Sequence, residues 1–219
     1  MSMNFNFGGV KTANVVTNNF LPAGVHDVIF KGVDKADTFS ALTLHFEAVD
    51  GSGIHNENIF EPRSDQRVDS QYGQNPSESE QFFCKIKQVI EALDPDLAQK
   101  IEKEGEKFAA PDFDGFVKLL KKYLDKKVGT QTQIKLVPTK GSYVGFPGYI
   151  ANISKDGNLY MRDKVIGENL VLTAKQKDAI ENAAKAKPTD MRARANDELA
   201  DIADDFDTKD EADDSDMPF

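Results

Sequence analysis

The sequence predicts a mainly β fold with a helical insert, in which a five-stranded barrel is elaborated by α-helices and followed by a disordered acidic C-terminal tail. Two stretches with strand character, 24–60 and 130–166, flank a stretch where apolar residues recur at helical spacing. Residues 196–219 hold eleven acidic residues and one lysine, which accounts for the whole formal net charge of −10. A segment so charged cannot bury enough apolar surface to fold alone.

The first stretch predicts a three-stranded meander. Residues 24–33 are rich in β-branched and aromatic residues, which favours a strand. Residues 41–49 alternate between apolar and polar side chains, and this period of two is typical of a half-buried strand. A turn at 50–53 leads into a third strand at 54–60, which Pro62 ends.

The middle of the chain predicts a long loop at 61–76 and then a helical insert at about 77–128. The first helix begins at Ser77, which is spaced to form a capping box with the glutamate three residues later. A second helix begins after Asp94, with proline at its first position. A third helix is predicted at about 113–127 from its apolar spacing.

Strand character returns in the third quarter of the chain. Residues 130–138 alternate, and a glycine-rich loop follows at 139–149. Two further strands, 149–154 and 158–166, are joined by an Asp-Gly turn and predict a hairpin. An Ala/Lys-rich helix is expected from Thr173, whose spacing to a glutamine three residues later again predicts a cap.

Three strands, a helical segment and further strands are the order of an OB-like barrel, whose helix lies between its third and fourth strands. An unrelated α+β sandwich would give the same order. The predicted domains are listed in chain order: a flexible N-terminal arm at 1–21, an OB-like domain at 22–168, a helix and basic linker at 169–195, and the disordered acidic tail at 196–219.

Composition argues against several classes of protein. One cysteine excludes a disulfide framework, and one cysteine with three histidines offers few ligands for a metal site, so we expect no cofactor and no metal. His45 and His55 lie on neighbouring predicted strands, without a third ligand nearby. Cys84 lies on an apolar helix face and is expected in the core. No apolar run is long enough to cross a bilayer and no signal peptide is recognised, so we expect a cytoplasmic protein.

The chain ends in an acidic run followed by Met217, Pro218 and Phe219. This tip resembles that of bacterial single-stranded DNA-binding proteins, and the pairing of an OB domain with an acidic tail resembles tailed-phage members of that class. The resemblance implies sequence-independent binding of single-stranded DNA in phage replication, recombination and repair. It also implies partner enzymes such as a polymerase, helicase, nuclease or recombinase. The partner-binding residues would be Asp213, Asp214, Asp216, Met217, Pro218 and Phe219.

The tip has a chemistry suited to a partner pocket. Phe219 offers an aromatic ring and a terminal carboxylate, which a pocket with an arginine or lysine can bind together. Pro218 restricts the backbone and lowers the entropy cost of binding. The same tail, a polyanion beside a basic groove, is expected to compete with DNA.

A binder of single strands needs cations that follow the phosphates and aromatic faces that stack on bases. Tyr160 is the leading candidate, because its neighbours Leu159 and Met161 are expected to face the core. Lys135 is expected to point outward from the strand at 130–138. The candidate DNA-binding residues, from the predicted outward strand faces and the nearby loops, are Lys31, Lys35, Phe39, Arg63, Arg67, Tyr72, Lys135, Lys140, Tyr143, Phe146, Tyr149, Tyr160, Arg162 and Lys164.

Two other classes stay open at this stage. One is an adaptor protein that binds no nucleic acid and uses the acidic tail to bind a basic partner. The other is a metal-dependent enzyme of nucleic-acid metabolism, although no phosphate-binding loop and no catalytic constellation is present. We therefore expect a non-enzymatic protein, with no membrane contact. A homo-oligomer is compatible with the sequence.

Overall fold

The computed structural model describes residues 19–70, 73–104, 109–139 and 143–185. The predictions for the acidic tail, for the basic linker from residue 186, for most of the N-terminal arm, and for Tyr72 and Lys140 lie outside these residues. The strands are β1 Gly24–Lys35, β2 Ala41–Ala48, β3 Ile54–Phe60, β4 Val68–Ser70, β5 Gly73–Asn75, β6 Gln131–Pro138, β7 Val144–Gly145, β8 Ala151–Ile153, β9 Leu159–Met161 and β10 Ile166–Gly167. The helices are α1 Glu78–Leu93, α2 Pro95–Lys103, α3 Phe113–Leu124 and α4 Ala174–Lys185.

The described chain is mainly β, with a nearly closed five-stranded antiparallel barrel and four helices, as the sequence predicts. The strand order is β10-β6-β1-β2-β3, and β7 also pairs with β6. The twelve-residue strand β1 lies at the centre of this order, with β2 paired to one of its edges and β6 to the other. The register shifts between Phe30 and Gly32. Such a bulge bends a strand and helps a sheet to close on itself.

Side chains complete the closure where backbone pairing stops. The carboxylate of Glu57 on β3 accepts a hydrogen bond from the backbone N–H of Phe146, just after β7, at 2.9 Å. The imidazole of His55 lies 2.9 Å from the same Glu57 oxygen. Both side chains are buried, so this link joins the free edge of β3 to the opposite end of the sheet.

The barrel and the helical insert share one core. Inward side chains of β1 and β2, such as Phe30 and Phe46, belong to the same cluster as Ile86 and Val89 of α1 and Leu120 of α3. The alternation predicted for β2 is confirmed, and its apolar face is buried. Because α1 contributes to the barrel core, the insert is part of this domain.

The two predicted capping boxes are present. The Ser77 hydroxyl accepts from the Glu80 N–H at 3.1 Å, and the Glu80 carboxylate accepts from the Ser77 N–H at 2.9 Å. Thr173 and Gln176 make the same exchange at the start of α4. These short-range patterns set where the helices begin, since each satisfies backbone donors that a helix start leaves free.

The structure departs from the predicted boundaries in several places, including β7, which lies within the predicted loop 139–149. The segment 61–76 contains the β4–β5 hairpin instead of loop alone. The predicted strand 158–166 is divided, because β9 pairs with β8 while β10 leaves the hairpin and pairs with β6. Residues 19–21, placed in the arm, lie against β3, where the Leu21 N–H donates to the Ile54 carbonyl. Within the described ranges, no helix combines the length and apolarity needed to cross a membrane.

Candidate nucleic-acid interface

The β8–β9 hairpin is held to the domain by two buried glutamines of α1. The Gln81 amide oxygen accepts from the N–H groups of Ile150 and Ala151 at 3.0 and 3.1 Å, and its NH₂ donates to the Ala151 carbonyl at 2.9 Å. Gln88 accepts from the Val165 N–H and donates to the Asp163 carbonyl, both at 2.8 Å. These hydrogen bonds fix the residues at the start of β8 and just after β9 to α1.

Two exposed tyrosines lie on this segment, Tyr149 just before β8 and Tyr160 on β9. Tyr149 is 81% exposed and Tyr160 is 46% exposed. Tyr160 lies opposite Asn152, whose amide donates to the phenol oxygen at 3.2 Å. A restrained, exposed aromatic ring suits stacking on a base, because little side-chain entropy is lost on contact.

Three cations accompany these tyrosines. Lys155, Arg162 and Lys164 are exposed, and none forms an ion pair with any described residue. The two acids of the same segment differ, since Asp156 is exposed in the turn whereas Asp163 is neutralised by a buried lysine. The hairpin surface thus carries an excess of positive charge, which attracts phosphates.

The alternation argument for this hairpin is wrong in one respect. Leu159 and Met161 do not face the core, and all three residues of β9 are exposed. β9 has only three residues and pairs only with β8, and the Met161 sulfur contacts the Gln88 amide of α1 at 3.5 Å without Met161 being buried. Tyr160 is nevertheless exposed, so it stays a candidate.

Lys135 is not outward, contrary to the sequence prediction. Its side chain is 1% exposed, forms an ion pair with Asp163, and donates to the Val171 carbonyl at 3.0 Å. Asp163 also accepts from the Gln176 amide of α4 at 2.6 Å. The segment after β9 and the start of α4 cover this face of β6, so Lys135 is a structural residue.

Phe146 is likewise not a surface aromatic. It is 2% exposed, and its ring lies 6.2 Å from the rings of Phe46 and His55. The hydrogen bond from its backbone N–H to Glu57 fixes the chain against the barrel directly after β7. Tyr143, which directly precedes β7 in the same glycine-rich segment, is exposed and stays a candidate.

The end of the β1–β2 hairpin forms a second aromatic surface. The rings of Phe39 and Phe60 lie 5.3 Å apart with a tilt of 32°, and both are exposed. Sequence analysis missed Phe60. The signal was available, because alternation that buries Ile59 on β3 turns its neighbour Phe60 outward. The candidate cations of β1 are neutralised: Lys31 pairs with Glu47 at 2.8 Å and Lys35 with Asp114 at 2.7 Å.

The two candidate arginines of the segment 61–76 have different environments. Arg67 donates hydrogen bonds to the Glu80 carboxylate from Nε at 2.9 Å and from Nη2 at 2.6 Å. It also donates to the Gly157 carbonyl at 3.1 Å. The Arg67 guanidinium lowers the pKa of Glu80, and the pair raises the pKa of Arg67. Arg67 thus ties this segment to the β8–β9 turn. Arg63 is exposed, and its backbone N–H donates to Glu78.

The histidines on neighbouring strands do not converge. His55 points inward to Glu57, whereas His45 points outward and contacts the Asn56 amide oxygen at 2.8 Å.

Lys85 of α1 is partly buried, and burial lowers its pKa while the charge of Glu57 opposes the shift. Within the described ranges, no group of three or more metal-ligating side chains is found. Cys84 is buried, and burial raises the pKa of its thiol.

Comparison with known proteins gives no relative: no family model, no curated protein and no solved structure matches this chain. The barrel is compatible with the OB fold.

Proposed function

We propose that this protein binds single-stranded DNA without sequence preference and acts in phage DNA replication, recombination and repair. The observation that carries the proposal is the segment 149–164 around the β8–β9 hairpin, which presents two exposed tyrosines and three exposed cations that form no ion pair with any described residue. Rings for stacking and charges for phosphates are the two requirements of such a site. The barrel type supports the proposal, because OB domains bind oligonucleotides.

The acidic tail supplies the second half of the proposal. Its tip at Met217, Pro218 and Phe219 recruits a replication or recombination enzyme, and its negative charge competes with DNA for the cationic hairpin. Deleting residues 196–219 is therefore expected to tighten DNA binding at low salt and to abolish recruitment. Unchanged affinity would remove the competition from the proposal without affecting the DNA site.

The test is the fluorescence anisotropy of a labelled oligo-dT, titrated with the full chain across a salt series. Tyr149→Ala and Tyr160→Ala should each weaken binding by about 5-fold to 150-fold, since one base stack contributes about 1–3 kcal/mol. Arg162→Ser should lower the slope of log K against log salt by about 0.7, the value for one phosphate contact on a single strand.

Matched controls separate the hairpin from general effects. Lys177→Ser removes an exposed cation of α4, and Phe83→Ala removes an exposed ring of α1, so neither should change oligo-dT binding. If neither the full chain nor residues 1–195 bind oligo-dT, the proposal fails, and the adaptor alternative remains.

A further inference from the structure

A groove between the helical insert and the segment after β3 has a floor of phenylalanines. The groove has a volume of about 480 Å³. Phe82 lies at its base, with its ring 5.2 Å from Phe83, 5.6 Å from Phe116 and 6.1 Å from Phe113. Phe82 is buried, but Phe83 is 55% exposed, so part of an aromatic ring remains open to solvent.

The rim of this groove is acidic. Glu61, Asp65 and Asp112 line it, and none of the three forms an ion pair with any described residue. Asp112 accepts from the Gly115 N–H at 2.6 Å and Asp65 accepts from the Ser79 hydroxyl. These neutral donors hold the carboxylates in place without cancelling their charge. Arg63 lies between two of these acids in sequence but does not line the groove.

The charge of the rim decides which occupant fits. DNA phosphates are repelled by three carboxylates, and so is the acidic segment 196–219 of this chain. A cation is attracted by the carboxylates and also by the face of an exposed phenylalanine such as Phe83. Apolar side chains beside that cation can be buried against the remaining rings.

We propose that this groove binds a basic, apolar segment of a partner protein, in which an arginine or lysine adjoins an aromatic or aliphatic residue. The cation lies between the rim carboxylates and over Phe83, and the apolar neighbour fills the groove. This inference is independent of the DNA-binding proposal, because no groove residue belongs to the β8–β9 hairpin.

The test must distinguish the groove from the acidic tail, which attracts any cationic peptide. Ala109 and Ala110 line the groove, so their methyl groups report on it locally. The full chain, labelled with ¹³C in the alanine methyls, is titrated with acetyl-Ala-Arg-Phe-Lys-Leu-Arg-amide to about 1 mM. We expect saturable shifts of these two methyl signals, and smaller ones with a control peptide carrying glutamine at each basic position.

Two substitutions localise the effect. Glu61→Lys should weaken binding at the groove by about 5-fold to 10-fold at low salt, since it replaces an attraction by a repulsion. Phe83→Ala should weaken it by about 10-fold or more, as for loss of a central aromatic contact. Glu168→Lys, a charge reversal elsewhere on the surface, and Tyr149→Ala should have no effect.

Three results would overturn the proposal. The first is an absence of shifts at Ala109 and Ala110, or shifts that both groove substitutions leave unchanged. The second is an equal response of these methyls to oligo-dT, which would make the groove part of a nucleic-acid surface. The third concerns the double variant Arg192→Ser with Arg194→Ser in the absence of peptide. If its Ala109 and Ala110 signals differ from those of the unsubstituted chain, the basic linker of this chain is the occupant.

Discussion

The replacement Lys135→Met tests whether this lysine is a buried structural residue or a DNA contact. Methionine keeps most of the length and apolar contact of the side chain but removes its charge. The ion pair with Asp163 and the hydrogen bond to the Val171 carbonyl are then lost. Asp163 keeps one partner, the Gln176 amide.

The expected cost follows from this environment. Lys135 is almost completely buried and the Asp163 side chain is 14% exposed, so the substitution leaves a largely buried carboxylate without its cation. Breaking a buried pair from one side costs about 3–5 kcal/mol. Domains of this size are stable by only about 5–15 kcal/mol, so the loss is a large fraction of the total.

Urea unfolding followed by far-UV circular dichroism measures this loss, since the chain has no tryptophan for fluorescence. The double variant Lys135→Met with Asp163→Asn should recover part of the stability, because it removes the stranded charge as well. Lys164→Met is the matched control, with an exposed lysine on the same segment, and should change stability by less than about 0.5 kcal/mol.

A small effect would refute the reasoning. If Lys135→Met lowered the free energy of unfolding by less than about 1 kcal/mol and weakened oligo-dT binding instead, the lysine would be outward in solution. The ion pair could then not be what holds α4 and the segment after β9 against β6.

Three further predictions concern stability. Phe146→Ala should lower the free energy of unfolding by about 3–5 kcal/mol in urea, as for a buried core ring, and a cost below about 1 kcal/mol would place the ring at the surface. Glu80→Gln should cost about 0.5–1 kcal/mol near pH 7, because its partly exposed ion pair with Arg67 is screened by solvent. The pKa of Glu80 is lowered in the folded state, so its contribution is present above about pH 4.3 and is lost as the pH falls through the folded pKa. Urea unfolding of both proteins at pH 7 and in acid should therefore show the difference shrinking, and a constant difference would exclude the ion pair as its cause. Gly53→Ala would place a Cβ in collision with the backbone oxygen of Asn19, so we expect a loss of about 1–3 kcal/mol by urea unfolding, whereas an unchanged stability would show that the segment moves away.

Local patterns in the sequence predict much of the barrel and the helical insert. The alternation in β2 has a single register that buries Phe46 and turns His45 to the opposite, half-buried face, so its faces are readable without any partner strand. The Ser77–Glu80 box satisfies donors within one turn, and it therefore sets the start of α1 by itself.

Only the tertiary structure decides which faces are covered by distant segments. Lys135 alternates outward within β6, but Asp163, which lies 28 residues later, meets it from the segment that leads to α4. Phe146 follows glycines that predict an open loop, yet a carboxylate on β3 binds its N–H and draws the ring inward. Burial of this kind depends on contacts between residues far apart in sequence, which periodicity does not encode.

The candidate sites divide in the same way. Tyr160 and the cations beside it could be proposed from sequence, because strand character and charge are local properties. The acidic groove could not, since Glu61, Phe83 and Asp112 come from three separate elements and meet only when α1 and α3 pack together. Sequence alone thus determined the order of the elements and the class of chemistry at the chain's surface. The folded structure decided which of these side chains stay exposed and which become buried, because burial depends on contacts made by the whole chain.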